Sequence, residues 1–118
     1  MSNAMPPLVL PWPPTGNNAV RHTSRGHYRT AKYAAYRREV WIRVKYEKCP
    51  CFTSPVRVHV LIDPPDRRAR DLDNVWKTVG DSCQYAGLFK SDSLVHDLHL
   101  VRGNVRLGGR IVVSVEAL

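Results

Sequence analysis

Hydrophobic positions recur with the period of a β-strand in three segments of the chain. From Val56 to Ile62, from Leu94 to Arg102 and from Arg110 to Ala117, apolar residues alternate with polar ones, as in strands with one buried face. A shorter apolar run, from Leu8 to Leu10, is followed at once by prolines. Because proline lacks the backbone donor that a sheet requires, this run predicts a short strand at a sheet edge.

Two further segments repeat their apolar residues at helical spacing. The first predicted helix extends from about Ala31 to Lys48, with Thr30 as its N-cap. Its predicted apolar face consists of five residues: Tyr33, Tyr36, Val40, Trp41 and Val44. The second predicted helix extends from about Leu72 to Ala86, and Gly87 supplies a C-terminal stop. Each amphipathic helix would therefore follow a strand.

The elements follow one another in the order β-α-β-α-β-β, which is typical of an α+β protein. We predict a single domain in which a small mixed sheet is covered by the two helices. At 118 residues, the chain is long enough to form one hydrophobic core. The first four residues, Met1 to Ala4, are typical of an expression remnant, so the domain is expected to span residues 5–118. The polar segment from Thr15 to Thr30 predicts a long basic loop.

The composition indicates a folded and strongly basic protein. Hydrophobic residues make up 43% of the chain, which excludes global disorder. The net charge of +8 indicates a polyanionic partner, which could be DNA, RNA or an acidic lipid surface. No apolar run reaches the roughly 20 residues of a membrane-spanning helix and no secretory signal is visible, so we expect a cytoplasmic protein. Three cysteines without a second metal-binding pair predict reduced thiols rather than a zinc site.

A dense run of charge, residues 66–74, connects the strand from Val56 to the second helix. Because unpaired buried charges are costly, this run must lie at the surface, at a strand end where functional loops are common. Its carboxylates Asp71 and Asp73 would stand within one turn at the start of the helix. The helix N-terminus favours their ionised forms, and Mg²⁺ prefers such oxygen ligands. The pair therefore predicts either a metal site or a helix cap beside a surface charge.

Cationic residues surround these two carboxylates. Three arginines could each form paired hydrogen bonds with phosphate oxygens: Arg67, Arg68 and Arg70. Lys77 follows Asp73 by four residues, so it would either neutralise charge on a scissile phosphate or form a simple ion pair. Arg21 and His22 belong to the predicted basic loop, which is either a solvated connection or an arm on nucleic acid. From these residues alone, metal-dependent phosphodiester hydrolysis and a structural role are equally well supported.

Three separated segments carry a resemblance to a known family. Residues 65–74, with Lys77 after them, are similar to the signature of the RusA-type crossover-junction endodeoxyribonucleases. Further similarity occurs at residues 10–14, 17–18, 21–22 and 87–92, and at Val95 and Asp97. The resemblance extends from Leu8 to Glu116. Three matches in the same order are far more specific than any one of them.

The resemblance implies a small homodimeric nuclease that depends on Mg²⁺, or on Mn²⁺ in its place. Such an enzyme resolves four-way Holliday junctions by symmetric paired nicks in DNA recombination and repair, and is often encoded by a prophage. Its implied partners are four-way or other branched DNA and a second copy of the chain, with no membrane. The family's functional residues match the following positions of this chain: the metal-binding catalytic aspartates Asp71, Asp73 and Asp92, the catalytic Lys77, and the motif positions Arg70 and Asn74.

The chain departs from the family pattern at two positions. Family members commonly carry an Asp-Asp pair where this chain has Ser91-Asp92, and Ala69 interrupts the arginine run. The assignment of Asp92 rests on the resemblance alone, because an aspartate in a turn before a strand carries no other signal. The alternative to a nuclease is a non-catalytic dimer that binds branched DNA through the same basic surface.

Overall fold

The computed structural model describes residues 4–14, 20–23 and 26–118, with side chains at all of these positions except 20–23 and 26–29. Its elements are β1 (Leu8–Leu10), β2 (Val20–Thr23), β3 (Gly26–Arg29), α1 (Ala31–Tyr46), β4 (Val56–Asp63), α2 (Leu72–Tyr85), a 3-10 helix (Asp92–Leu94), β5 (Val95–Arg102) and β6 (Arg110–Ala117). The predicted α+β class and element order are confirmed, with β2 and β3 as an addition. The predicted expression remnant lies outside the described residues except for Ala4.

Four strands form one mixed sheet in the order β1-β6-β4-β5. Strand β4 pairs in parallel with β5 and antiparallel with β6, which also pairs antiparallel with β1. The register sets Val58 opposite Val115 and Val60 opposite Val113, and these four side chains are buried. Alternate strand positions therefore face one core, which the buried sides of α1 and α2 complete.

The ends of α1 follow from local chemistry. Thr30 has an extended backbone, and its Oγ1 accepts a hydrogen bond from the Tyr33 amide at 3.3 Å, which confirms the predicted N-cap. The helix ends at Tyr46, two residues before the predicted end at Lys48. Lys48 has a φ of 53°, a left-handed conformation that a right-handed helix cannot contain.

The predicted apolar face of α1 is wrong at one position. The side chain of Trp41 is 44% exposed, whereas Val40 and Val44 are fully buried or nearly so. Successive helical residues point about 100° apart, so the position after Val40 cannot share the direction of the Val40–Val44 row. The core is therefore built from the valines, and the indole of Trp41 lies at the surface.

Helix α2 begins at the predicted residue and ends one residue early, at Tyr85. Gly87 has a φ of 85°, which glycine adopts without a steric penalty, so it supplies the predicted stop. The predicted strand from Leu94 instead begins at Val95, because the preceding residues form the short 3-10 helix. In the described part of the chain, no helix combines the length and the apolar character needed to cross a membrane.

The predicted loop between Thr15 and Thr30 is wrong for part of its length. Strands β2 and β3 pair antiparallel as a hairpin, with Val20 opposite Arg29. Its residues lack the alternation of apolar and polar positions that marks a half-buried strand, so the sequence pattern gave no indication of it. Arg21 and His22 are predicted to contact nucleic acid. Their side chains are not among those that the structure describes.

Candidate active site

The charged loop between β4 and α2 is held by a network around Asp66. The Asp66 carboxylate accepts a hydrogen bond from the Arg68 amide at 2.9 Å and lies 2.8 Å from Nη1 of Arg70. Hydrogen bonds from Arg70 and then from Arg68 lower the pKa of Asp66 far below its usual range, because they stabilise the ionised form. The Arg70 guanidinium also lies 5.4 Å from the Trp12 ring. The loop thus follows a fixed course into α2.

The three arginines predicted to contact phosphate differ in their exposure. Arg70 has only 16% of its side chain exposed, and it also donates hydrogen bonds to the carbonyls of Asp66 and Arg68. The side chain of Arg68 is 81% exposed and lies 3.2 Å from the Asp66 carboxylate. Arg67 is exposed, and its side chain has no hydrogen bond or ion pair to another described residue. Arg67 and Arg68 can therefore reach a phosphate, whereas Arg70 braces the loop.

Asp71 and Asp73 stand at the start of α2, as predicted. Asp71 is the N-cap residue by its backbone, but its side chain makes no capping hydrogen bond. Asp73 lies in the first helical turn, and both carboxylates are exposed. Across the side chains that the structure describes, neither carboxylate has a hydrogen bond or ion pair, and the simple Asp73–Lys77 ion pair is not formed. Both carboxylates remain available to bind a ligand, with the helix N-terminus favouring their negative charge.

Lys77 and Asp92 line the same groove. This groove, with a volume of about 430 Å³, lies between α2 and the segment that leads into β5. Its lining residues are Trp76, Lys77, Gly80, Asp81, Phe89, Asp92, Val95 and Leu98. Asp92 opens the 3-10 helix, whose N-cap is the Ser91 hydroxyl, so the Asp92 carboxylate is not used as the cap. The structure therefore places Lys77 and Asp92 on the same groove beside α2.

Backbone pairing fixes the segment that carries Asp92. The amide of Phe52 donates to the Leu88 carbonyl at 2.9 Å, and the Lys90 amide donates back to the Phe52 carbonyl at 2.9 Å. Leu88 and Phe89 are fully buried or nearly so. Because these contacts involve residues far apart in the chain, the position of Asp92 could not be derived from its own neighbours in sequence.

The donor chemistry of the three aspartates suits Mg²⁺, although their side chains are not gathered around one point. Among the described residues, no three histidine, cysteine, aspartate or glutamate side chains lie close enough together to hold one metal ion. Mg²⁺ is commonly bound through one or two carboxylates and keeps several of its waters. Exposed carboxylates without partners at Asp71, Asp73 and Asp92 fit that mode of binding. The three cysteines are free thiols.

Two residues that line the groove were not predicted as site residues. The Tyr33 hydroxyl donates a hydrogen bond to the Asp81 carboxylate, and Nε of Arg37 lies 4.0 Å from the same carboxylate. Trp76 was assigned only to the apolar stripe of α2, yet it lies partly exposed in the groove. Asp81 follows Lys77 by four residues, and this spacing was the signal that could have placed it on the same side of α2.

The remaining matched positions lie apart from the groove. Asn74 is exposed in the first turn of α2. Asp97 accepts a hydrogen bond from Nε of Arg57 at 2.7 Å and lies 2.8 Å from Nε2 of His99. The hydrogen bond from Arg57 is the main reason that the pKa of Asp97 is lowered. Asp97 therefore stabilises the pairing of β4 with β5 rather than joining the carboxylates at α2.

Comparison with known proteins gives a consistent result. The sequence matches the family described as endodeoxyribonuclease RusA over residues 11–116. It is 36% identical to the crossover junction endodeoxyribonuclease RusA of enterobacteria phage HK97 over 112 residues, covering 94% of this chain and 93% of the relative. The proteins of the same name from Shigella sonnei and enterobacteria phage 82 are each 34% identical with the same coverage.

Proposed function

The chain belongs to the endodeoxyribonuclease RusA family, and from this membership we propose that it is a crossover-junction endodeoxyribonuclease. It hydrolyses phosphodiester bonds at Holliday junctions by symmetric paired nicks, in DNA recombination and repair. One observation supports the proposal beyond the family name: four charged side chains, at the start of α2, on α2 and in the segment before β5, have no described hydrogen-bond or ion-pair partner. These are Asp71, Asp73, Lys77 and Asp92. Their charges are therefore not used by caps or ion pairs among the residues that the structure describes.

We assign the metal to the three carboxylates Asp71, Asp73 and Asp92. Their oxygen atoms are the ligands that Mg²⁺, and Mn²⁺ in its place, prefer. When bound, a divalent ion supplies Lewis-acid polarisation of the phosphate and a more acidic water. Asp71 and Asp73 both lie at the start of α2, and neither is used as a side-chain cap or in an ion pair with a described residue, so both are available to a cation.

The cations of the site divide between catalysis and binding. Lys77 shares a groove with Asp92, and we assign it to the charge that develops on the scissile phosphate. Arg67 and Arg68 are exposed and contact phosphates on either side of the cut. Arg70 maintains the loop that presents them. The exposed Asn74 adds an amide that can hydrogen-bond to the DNA backbone.

The enzyme is proposed to act as a cytoplasmic homodimer. Paired nicks in opposite strands require two active sites, and two-fold symmetry supplies them in the orientation that a four-way junction presents. The net charge of +8 per chain suits a large polyanionic substrate that a dimer would have to span. Some relatives belong to enterobacteria phages, which is compatible with a prophage origin.

Cleavage of a labelled synthetic four-way junction tests the proposal. The protein is incubated with the junction in Mg²⁺ or in EDTA, and a linear duplex of the same sequence is the control substrate. We expect symmetric nicks on the junction in Mg²⁺ and none in EDTA. Binding without nicks under every metal condition would overturn the nuclease assignment and favour the alternative, a non-catalytic dimer that binds branched DNA.

A further inference from the structure

The groove beside Lys77 has a lining that the hydrolysis of a phosphodiester does not require. Trp76, Val95 and Leu98 contribute aromatic and apolar surface, and 39% of Leu98 is exposed. The volume of about 430 Å³ falls within the roughly 300–1,000 Å³ of typical small-ligand sites. Next to the proposed cleavage site, an apolar surface of this kind favours contact with a flat, uncharged group over contact with water.

The position of Trp76 depends on a glycine one turn further along α2. A Cβ atom at Gly80 would lie 2.9 Å from both Cε2 and Cζ2 of the Trp76 indole. The indole therefore lies directly against the helix backbone at Gly80, and any larger residue would displace it. Glycine is a poorer helix former than alanine, so Gly80 lowers helix stability while it accommodates the ring.

We infer that this groove receives one unstacked nucleobase of the strand being cut, with Trp76 as its stacking partner. The inference rests on the proposed function and names a contact that the function does not require. Lys77 and Asp92 belong to both the groove and the proposed active site, so a nucleotide next to the scissile phosphate is within reach. Bases stack on aromatic side chains without regard to sequence.

The charges in the groove favour a base over a phosphate. Asp81 and Asp92 line it together with a single cation among the described residues, Lys77, so away from Lys77 the two carboxylates favour an uncharged group over an anionic one. The Asp81 carboxylate is held by the Tyr33 hydroxyl, so it forms a fixed acceptor for the N–H groups of a base. Unstacking is least costly where base pairing is already disturbed, as it is at the exchange point of a junction.

The test changes the substrate and the protein separately. A set of junctions is prepared, each with one abasic residue at a different nucleotide flanking the cut. Their cleavage rates are compared with that of the intact junction under single-turnover conditions. We expect one abasic position to slow cleavage by roughly 5- to 100-fold, the effect of losing one stacked base. Trp76→Ala should slow cleavage of the intact junction similarly, and the abasic residue should then have no further effect. Trp76→Phe should retain most of the rate.

Gly80→Ala changes the groove while it keeps the Trp76 side chain. The new methyl group displaces the indole, whereas alanine favours the helix, so cleavage should fall while the variant remains folded at the assay temperature, which its melting curve measures. Unchanged rates with every abasic junction, or multiplicative effects of the abasic residue and Trp76→Ala, would overturn the inference. If no junction is nicked by the wild-type protein, it is the proposed function that fails.

A binding measurement tests the groove without cleavage. A junction carrying 2-aminopurine at the flanking position is mixed with protein in EDTA, and its fluorescence is recorded at saturation. At saturation, wild-type protein and Trp76→Phe should give similar emission, whereas Trp76→Ala should give a different emission because the stacking partner is absent. Identical emission with wild-type protein and Trp76→Ala would overturn the inference, whether or not the protein cuts DNA.

Discussion

Nη1 of Arg70 lies 2.8 Å from a carboxylate oxygen of Asp66, four residues earlier in the same loop. The same nitrogen donates to the carbonyls of Asp66 and Arg68 at 3.3 Å, and Arg70 is the least exposed of the three arginines in the loop. A planar guanidinium can satisfy several acceptors at once, which makes it an effective internal brace. The arginine next to Asp71 therefore orders the backbone that presents the carboxylate, and the other two arginines remain exposed.

Replacing Arg70 with lysine should separate loop order from charge. Arg70→Lys keeps the positive charge but cannot reproduce the three contacts, so we expect cleavage to slow by roughly 5- to 100-fold, corresponding to the loss of one or two hydrogen bonds to charged groups. The dissociation constant for the junction should change little. Single-turnover rates at saturating protein, together with gel-shift titrations, measure the two effects. A loss confined to binding would instead place Arg70 on a phosphate.

Arg67 and Arg68 should contribute to binding rather than to the rate of cleavage. Alanine at either position removes one phosphate contact, so junction affinity should fall and the dependence of log K on log salt should become shallower by about one unit. Titrations at several salt concentrations measure this slope. Arg57→Ala is a matched control, because Arg57 is paired with Asp97 and Glu116 on the sheet. An unchanged slope for both loop variants would contradict their assignment.

Asp71→Asn should stop cleavage without preventing binding. The substitution removes a charge from the proposed metal ligand, and a loss of roughly 100-fold or more is expected for a group that stabilises transition-state charge. Binding should be intact or tighter, because a negative charge near the phosphates has gone. Its side chain makes no capping hydrogen bond, so helix stability should be nearly unchanged. A collapse of junction binding, or a large fall in melting temperature, would show that Asp71 is structural.

The elements that local chemistry specifies could be predicted from the sequence. Alternating valines placed Val58 and Val60 on the buried side of β4, and the Thr30 hydroxyl and the freedom of Gly87 marked two helix ends. Trp41 was misplaced because a hydrophobic residue next to a buried one was counted as part of the same face. Periodicity predicts which side of a helix is buried more reliably than it places a residue at the border of that side.

The candidate site could be predicted only in part, because it combines local and distant residues. Asp71 and Asp73 lie in one helical turn, so their proximity follows from spacing alone. Asp92 lies beside α2 because backbone pairing at Phe52 fixes the segment before it, and no local pattern encodes that contact. The bond from Tyr33 to Asp81 likewise joins two helices and could not be anticipated from either.

Thr30→Ala should lower the stability of the protein without changing its chemistry. The Thr30 hydroxyl accepts a hydrogen bond from the Tyr33 amide at the start of α1. Loss of an N-cap of this kind lowers the unfolding free energy by about 1 kcal/mol. Thr30→Ser retains the oxygen atom and should restore nearly all of it. Urea denaturation followed by circular dichroism measures both. Equal stability of Thr30→Ala and the wild-type protein would mean that the capping bond contributes nothing.

Lowering the pH should reduce the unfolding free energy of the protein, in part through protonation of Asp66. Its pKa in the folded state is lowered, chiefly by Arg70, so the carboxylate stabilises the fold at pH values above the ordinary aspartate pKa near 4. This contribution is lost as the pH falls toward the folded pKa, because the unfolded chain then binds a proton more readily.

The difference in unfolding free energy between the wild-type protein and Asp66→Asn should be largest near neutral pH and shrink below about pH 4. Urea midpoints at several pH values measure it, with the exposed Leu107→Ala as a pH-independent control. A constant difference down to about pH 2 would contradict the role of the Asp66–Arg70 pair.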